Sequence, residues 1–260
     1  MDKWIEIDIE AVLNNLRSVK TVLNNQARLM AVVKANAYGH GAAQTACLLN
    51  QNGVDFFGVS FLEEAWELRE AGIKDDILIF SPVTNQEQAL AAINAGLILS
   101  VTSKGDLNVL KQVSGGFSRP ARIHLKIETG LGRFGLGWEE SLYVCQEIFT
   151  DPQFKIEGIY THFADPSSPA FTDHQFRQFM QIVQQLAEAG YVIPMRHVAN
   201  SVVFLRSPDM YLDAVRIGTL LSGQHPVGQF PIHLDLKDPY TFKSRIISLK
   251  TLPPGSSLGY

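Results

Sequence analysis

The sequence predicts an α/β fold, a closed parallel (β/α)8 barrel of the TIM type, on three observations. Eight apolar or β-branched runs of strand length recur at about 29–34, 55–60, 77–80, 97–101, 121–128, 155–163, 195–200 and 214–219. Every run but the last is followed by a helix-like segment, as in successive βα units. The length of 260 residues is one that a single barrel commonly occupies. A doubly wound open sheet shares this alternation, and periodicity alone does not separate the two folds.

The segments between the runs carry helix-end signals and amphipathic faces. Asp8 is placed to cap the first helix. The apolar stripe of that helix consists of Ile9, Val12, Leu13, Leu16, Val19 and Leu23. Ser60 and Glu63 have the spacing of a capping box that opens a later helix. Gly190 is placed to end a long helix whose apolar face includes Phe176 and Phe179.

The fifth run has two chemically different faces, which favours the barrel. Its apolar face consists of Ile123, Leu125 and Ile127, and its ionisable face of His124, Lys126 and Glu128. Alternate residues of a strand point to opposite sides, so one side meets helices and the other meets the interior. Ionisable groups inside a protein are costly unless they pair with one another or with a ligand. We therefore expect a barrel with a polar mouth.

The helical pattern ends after residue 225. Prolines at 226, 231 and 239 precede an alternating stretch, 240–250, that predicts a strand. A lone strand does not bury its own face. We predict a barrel over residues 1–225, followed over 226–260 by a linker and the first strand of a truncated, β-rich C-terminal domain. The alternative is a tail that pairs elsewhere.

Composition narrows the class of protein. Lys and Arg number 22 against 26 Asp and Glu, a net charge of −4 without a basic patch, which argues against nucleic-acid or anionic-membrane partners. The two cysteines show neither a disulfide framework nor metal-ligand spacing. No apolar run reaches the roughly 18 residues of a transmembrane helix, and the acidic N-terminus is unlike a signal peptide. We expect a cytoplasmic protein that acts on a small molecule and holds no metal.

Polar residues follow the predicted strands at the ends where barrel active sites lie. Lys34 ends the first run, Arg133 follows the fifth, and His162 ends the sixth. Asn200 and Ser201 follow the seventh run. A lysine amine in a sheltered site loses basicity and becomes a nucleophile that can form a Schiff base. The sequence therefore places a candidate nucleophile at the rim.

The eighth run ends with Arg216, Gly218 and Thr219. The loops after the last two strands of this architecture often bind phosphate. Ser201 and Thr219 offer hydroxyl groups there, and Gly218 permits close approach of the backbone. These residues predict a phosphorylated ligand.

Each candidate also has a purely structural interpretation. Arg133 pairs with Glu128 in one alternative, and Arg216 anchors Asp213 in another. Asn200 is an ordinary helix-start residue. Taken singly these alternatives are the simpler ones, but they do not explain why all the candidates fall at one rim.

The string Val-Val-Lys-Ala-Asn-Ala-Tyr-Gly-His-Gly at residues 32–41 resembles the cofactor-lysine segment of bacterial alanine racemases. That resemblance covers nearly the whole chain, and it implies pyridoxal 5'-phosphate as cofactor. It also implies that Lys34 holds the cofactor and that Lys34 and Tyr260 are the two catalytic bases. The implied ligands of the phosphate are Tyr38, Asn200, Ser201, Gly218 and Thr219.

The resemblance assigns the remaining candidates as well. His162 would lie against the cofactor ring, Arg133 would donate to its phenolic oxygen, and Arg216 would face its pyridine nitrogen. Lys126 matches a lysine that family members often carry as a carbamate that orients the arginine. In the family the second base acts across a homodimer interface, placed by the C-terminal domain.

The resemblance implies an isomerase that interconverts L- and D-alanine by this two-base mechanism, for D-alanine and peptidoglycan precursor synthesis. Three alternatives stay open. One is a single-barrel carrier of pyridoxal phosphate without catalysis. Another is a decarboxylase on the same fold, although Arg216 stands where an acidic residue would be expected. The third is a racemase for serine or another amino acid.

Overall fold

A computed structural model describes residues 2–259 of the chain. The strands are β1 (Lys3–Ile7), β2 (Arg28–Val32), β3 (Phe56–Val59), β4 (Asp76–Ile79), β5 (Ile98–Val101), β6 (Ala121–Lys126), β7 (Phe154–Tyr160), β8 (Met195–His197), β9 (Ala214–Ile217) and β10 (Tyr240–Ser244). The helices are α1 (Ile9–Leu23), α2 (Lys34–Tyr38), α3 (Ala42–Gln51), α4 (Leu62–Glu70), α5 (Gln86–Asn94), α6 (Lys104–Gln112), α7 (Trp138–Ile148), α8 (Pro169–Glu188) and α9 (Ser201–Arg206). Within this range, no helix combines the length and the apolar character needed to cross a bilayer.

The strands β2 to β9 form the predicted barrel. They are parallel and lie in the order β8-β7-β6-β5-β4-β3-β2-β9. Two backbone hydrogen bonds close the circle between the first and last of these, from Asp213 N to Arg196 O at 3.0 Å and from Arg216 N to Ala199 O at 2.9 Å. Each of the eight apolar runs overlaps one of these strands. The closed barrel is confirmed, and the open sheet is excluded.

The alternation in β6 is also confirmed. Ile123 and Leu125 belong to the apolar layer between the barrel and its helices. His124 lies inside, where its ring approaches Phe56 edge-on with centroids 6.1 Å apart. Gly158 on the neighbouring strand makes room for that ring, because a Cβ there would lie 2.5 Å from it. The inner face of β6 therefore carries polar groups into the barrel, as its sequence pattern predicts.

Two of the predicted helix signals hold, and two details are wrong. Asp8 caps α1 by accepting the Ala11 N–H at 3.1 Å, and α8 ends before Gly190, whose φ is +92°. Ile9, placed on the buried stripe of α1, is 57% exposed because it lies in the first turn, outside the contact with the barrel. The capping box of Ser60 and Glu63 is shifted by one residue: α4 follows Phe61, and its box residue is Glu64.

The region after residue 225 finds its strand partner at the other end of the chain. β10 pairs with β1 in an antiparallel ladder from Lys3 opposite Ser244 to Ile7 opposite Tyr240. Asn15 ties the preceding segment to α1, donating to Lys237 O at 2.8 Å and accepting from Lys237 N at 2.7 Å. The predicted strand, 240–250, is shorter in the structure, and β1 was not predicted. The division of the chain at residue 225 stays a prediction.

Candidate active site

A cavity of about 610 Å³ opens at the carboxyl ends of the barrel strands. The predicted site residues that line it are Lys34, Tyr38, Lys126, Arg133, His162, Asn200, Ser201, Arg216, Gly218 and Thr219. Tyr260, the predicted second base, lies outside the described residues. The structure thus brings every predicted site residue that it describes to one place.

Lys34 enters this cavity from an unusual piece of backbone. The β2 ladder ends with a hydrogen bond from Val33 N to Gly58 O at 3.0 Å. The four residues after Lys34, from Ala35 to Tyr38, then have φ between +50° and +56°, so α2 is a left-handed turn. Left-handed backbone costs about 1–2 kcal/mol for each residue other than glycine. Such strain persists only where surrounding contacts impose it, and it is concentrated at functional sites.

The charge on Lys34 is reduced by its surroundings. The side chain is half-buried. Burial lowers the pKa of its amine and the guanidinium groups of Arg133 and Arg216 lower it further, whereas the Glu64 carboxylate raises it. The net effect is a lowered pKa, which increases the fraction of neutral, nucleophilic amine at pH 7.

One corner of the cavity collects small groups and hydroxyls. The Tyr38 hydroxyl lies against Gly218, where a Cβ would be 2.4 Å from the oxygen. Ser201 starts α9, and Thr219 follows β9. Asn200 caps α9 by accepting from Val202 N and Val203 N, both at 3.1 Å. The helix-start interpretation of Asn200 is therefore confirmed, and its side-chain oxygen is used within the helix cap.

Arg216 forms the floor of the cavity and is buried. Its Nη1 donates to His197 O at 2.7 Å, and its Nη2 donates to Thr161 O at 2.8 Å and Val198 O at 3.0 Å. Burial lowers its pKa to about 10, so it is charged at neutral pH. The alternative in which Arg216 anchors Asp213 is wrong, because Asp213 pairs with Arg196 at 2.7 Å.

His162 and Lys126 both lie close to the positive charges of Arg216 and Arg133. Burial first, and then the charges of Arg216 and Lys126, lower the pKa of His162 to about 3, so its ring is neutral at physiological pH. Lys126 is buried and donates to Ile127 O at 3.0 Å. Burial and the neighbouring Arg216 lower its pKa to about 7, although Glu128 opposes the shift. A large part of Lys126 is therefore neutral near pH 7.

Arg133 is exposed at the rim and stacks on the Phe134 ring, with 4.7 Å from Cζ to the centroid. The alternative pairing with Glu128 is wrong, because no ion pair among residues 2–259 joins them. Glu128 instead accepts the backbone N–H groups of the glycine-rich loop at Gly130, Leu131 and Gly132. The Arg133 guanidinium is left facing the cavity.

Sequence reasoning missed several residues of the site. Tyr160 lines the cavity, shares a hydrogen bond with Ser100 at 2.8 Å, and stacks on His197 with centroids 4.8 Å apart. Its period-two spacing from His162 was a usable signal. Further lining residues are Ser60, Phe61, Phe80, Ser81, Phe134 and Val202. Apart from Val202, which belongs to α9, they come from loops whose inward direction has no signature in a single sequence.

Comparisons with known proteins agree with this geometry. The profile of the family described as alanine racemase, N-terminal domain, matches residues 7–226. Alanine racemase 1 of Oceanobacillus iheyensis is 36% identical over 262 residues, which cover 100% of this chain and 69% of that protein. The alanine racemase of Methanococcus maripaludis is 34% identical, with 99% of this chain and 70% of that protein covered.

Solved structures give the same answer. An alanine racemase from Clostridium difficile 630 superposes with a TM-score of 0.94 at 31% identity, over 100% of this chain and 69% of that one. Alanine racemase from a D-cycloserine-producing Streptomyces lavendulae has a TM-score of 0.91 at 31% identity, with 100% and 69% covered. The fold, the cavity residues and these matches place this chain in the alanine racemase family.

Proposed function

We propose that this chain forms the cofactor barrel of an amino-acid racemase, an isomerase that interconverts L- and D-alanine with pyridoxal 5'-phosphate. The observation that carries the proposal is one cavity in which a lysine of lowered pKa faces a hydroxyl-rich corner across a buried arginine. The relatives with this name support the reaction, and this chain spans about 69% of the first of them. Alanine is the substrate we propose.

The residues of the cavity fit the cofactor. The corner of Tyr38, Ser201, Gly218 and Thr219 suits its phosphate, since hydroxyl and backbone N–H groups are good anion ligands. The absence of a Cβ at Gly218 makes room for the Tyr38 hydroxyl in this corner. When bound, pyridoxal phosphate supplies an aldehyde that condenses with an amine, releasing water, and a ring that delocalises the electrons left after loss of an α-proton. We assign Asn200 to fixing the helix that presents Ser201.

Arg216 sets the strength of that electron sink. Its hydrogen bonds to described residues use Nη1 and Nη2, so Nε would be available to donate to a pyridine nitrogen. A guanidinium donates hydrogen bonds and has no acceptor, so it disfavours a proton on that nitrogen. By disfavouring that proton, Arg216 would weaken the electron sink and favour return of a proton to the α-carbon over its delivery elsewhere. Arg216 would therefore favour racemisation over transamination.

Racemisation requires one base on each face of the substrate. Lys34 is the base on one face, with the lowered pKa that proton transfer near neutral pH demands. We assign the opposite face to Tyr260, which lies outside the described residues. His162 is neutral at physiological pH and would lie against the cofactor ring. Arg133 would donate to the phenolic oxygen, and Lys126, as a carbamate, would give that arginine a charged partner.

Two context assignments accompany this function. We propose a cytoplasmic location, because Cys47 and Cys145 are free thiols, as is usual in a reducing compartment. We propose a homodimer, because racemisation as described needs a second base and the family brings it from a partner subunit. A carrier of pyridoxal phosphate shares the lysine and the phosphate corner, but it has no use for an electron-tuning arginine at the floor.

The test is labelling of Lys34. Purified protein is mixed with pyridoxal phosphate, reduced with borohydride and mapped by mass spectrometry, and the α-proton exchange of both alanine enantiomers is followed in deuterated water. We expect a stable label on Lys34 and exchange in both enantiomers. Lys34→Ala should lose both, while exposed Lys74→Ala keeps both. A label retained in Lys34→Ala contradicts the assignment, and labelling without exchange supports the carrier.

A further inference from the structure

Glu64 joins the two loops that border Lys34. It lies in the first turn of α4, and its side chain is half-buried. Its Oε1 accepts the Ala35 N–H at 2.6 Å, and its Oε2 accepts the N–H groups of Ser60 at 2.6 Å and Phe61 at 3.1 Å. One carboxylate therefore connects the backbone directly after Lys34 to the loop after β3.

The Ala35 N–H finds its acceptor outside its own turn, in the Glu64 carboxylate. The first N–H groups of any helical turn have no partner within that turn. The far end of this turn is held internally, by Gly39 N donating to Ala35 O at 3.2 Å and to Asn36 O at 3.0 Å. The near end, next to the lysine, is held by Glu64. Since the turn is left-handed at four residues, it depends on such external contacts to keep its shape.

We propose that Glu64 is a positioning residue for Lys34, fixing through the Ala35 N–H the direction in which the amine enters the cavity. This inference deepens the proposed function and rests on it for the use made of the amine. The contacts to the Lys34 turn are independent of any cofactor.

Glu64 also acts on the charge of Lys34, so the pKa of Lys34 gives a second readout of the contact. The titratable or charged groups that share its cavity or act on its charge are Tyr38, Glu64, Lys126, Arg133, Tyr160, His162 and Arg216. Burial, Arg133 and Arg216 lower the pKa of Lys34, and Glu64 is the group that raises it. Removing the charge of Glu64 should therefore lower the pKa of Lys34 further.

The experiment compares Glu64→Gln and Glu64→Asp with Glu63→Gln. Glu63 is the exposed neighbour in the same helical turn, so its variant removes one charge from the same helix end without touching the Lys34 turn. The pKa of Lys34 is measured in cofactor-free protein from the pH dependence of its acylation, by competitive labelling. The rate of borohydride-stable labelling by pyridoxal phosphate is compared on the alkaline plateau, where the amine is neutral in every variant.

Glu64→Gln should lower the pKa of Lys34 and slow plateau labelling about 10- to 100-fold, the effect expected from losing hydrogen bonds to a charged group. Glu64→Asp should keep the pKa closer to that of the wild type but slow labelling, because the shorter side chain does not span both loops. Glu63→Gln should change neither quantity. Aspartate also provides a folded comparison if glutamine destabilises the barrel.

The outcomes separate this inference from the proposed function. If the wild type is not labelled at Lys34, the proposed function fails, while the pKa comparison in cofactor-free protein still tests Glu64. If the wild type is labelled and Glu64→Gln matches Glu63→Gln in both pKa and plateau rate, the positioning role is overturned. A lower melting temperature with both quantities unchanged would show that Glu64 only stabilises the fold, and would also overturn it.

Discussion

Single residues in this site are adjusted mainly by burial among positive charges. Lys34, Lys126 and His162 share a cavity with two arginines, and all three have lowered pKa values. Desolvation and like charge act in the same direction on a basic group, because both disfavour its protonated form. The result is a pair of lysine amines that lose their protons more readily than usual, and a neutral imidazole, beside charged guanidinium groups.

Lys126 provides the sharpest test at this scale. A carbamate forms only on a neutral amine, and a pKa of about 7 makes that form abundant at physiological pH. At a fixed pressure of labelled carbon dioxide, we expect a carbamate carbon signal in the NMR spectrum that grows as the pH rises through 7. Lys126→Ala should lose the signal and Lys74→Ala should keep it. An unmodified Lys126 in cofactor-loaded protein would contradict the proposed carbamate.

At the scale of elements, the backbone of the short turn α2 sets the positions of two site residues. It directs Lys34 inward and brings Tyr38 against Gly218, so two ligands of the proposed cofactor depend on one left-handed segment. Asn36 supports it from the other side by accepting the Ala42 N–H at 2.8 Å. The strain in the turn is offset by contacts from α3 and α4.

Replacing strained alanine in this turn with glycine should stabilise the protein. Ala35 has a φ of +50°, and Ala35→Gly removes a left-handed cost of about 1–2 kcal/mol while adding about 0.4–1 kcal/mol of unfolded-state entropy. We expect the free energy of unfolding, measured with urea, to rise by up to about 1.6 kcal/mol. Ala91→Gly, in the right-handed helix α5, should instead cost about 1 kcal/mol. An equal loss of unfolding free energy in both variants would show that the left-handed backbone at Ala35 is not strained.

The sequence predicted the positions of strands and helices well where hydrophobic periodicity or a capping residue determines them. The eight barrel strands and the inward face at Lys126 follow from apolar runs and period-two alternation. It did not predict β1, because that strand is largely exposed and pairs with residues 233 to 241 positions away. It also placed the α4 cap at Ser60 with Glu63, since the box spacing fits two registers and only the contact with Ala35 selects Glu64. Long-range pairings of this kind leave no local signature.

At the scale of the whole molecule, an ion-pair network joins the strands at the end opposite the cavity. Asp76 on β4 lies between Arg28 of β2 at 2.8 Å and Arg122 of β6 at 2.7 Å. Arg122 also reaches Glu157 of β7 at 2.7 Å. These groups are mostly shielded from water, so their attraction is less screened than that of surface pairs. The network holds one end of the barrel while the other end carries the site.

Asp76 makes the stability depend on pH in a defined direction. Burial raises its pKa, but hydrogen bonds from Arg122 and Arg28 outweigh burial and lower it. A lowered pKa contributes stability above the unfolded value of about 3.9, and that contribution is lost as the pH falls through the folded value. We expect Asp76→Asn to cost about 1–3 kcal/mol at pH 7, and the difference from wild type to shrink below about pH 4.

Unfolding of wild type, Asp76→Asn and exposed Asp173→Asn across this range is the measurement. Asp173→Asn should follow the wild type at every pH. A difference between Asp76→Asn and wild type that does not change between neutral and acid pH would contradict the network's role.

The junction between β8 and β9 is the one place in the described barrel where neighbouring strands share no ladder. The proposed phosphate corner straddles it, with Ser201 following β8 and Thr219 following β9. An anion bound by both residues would link β8 and β9 across a junction that two backbone hydrogen bonds hold in place of a ladder. A bound anion would then raise the free energy of local opening at this junction by RT ln(1 + [L]/Kd). The stability of the barrel between β8 and β9 would therefore increase with the fraction of sites occupied.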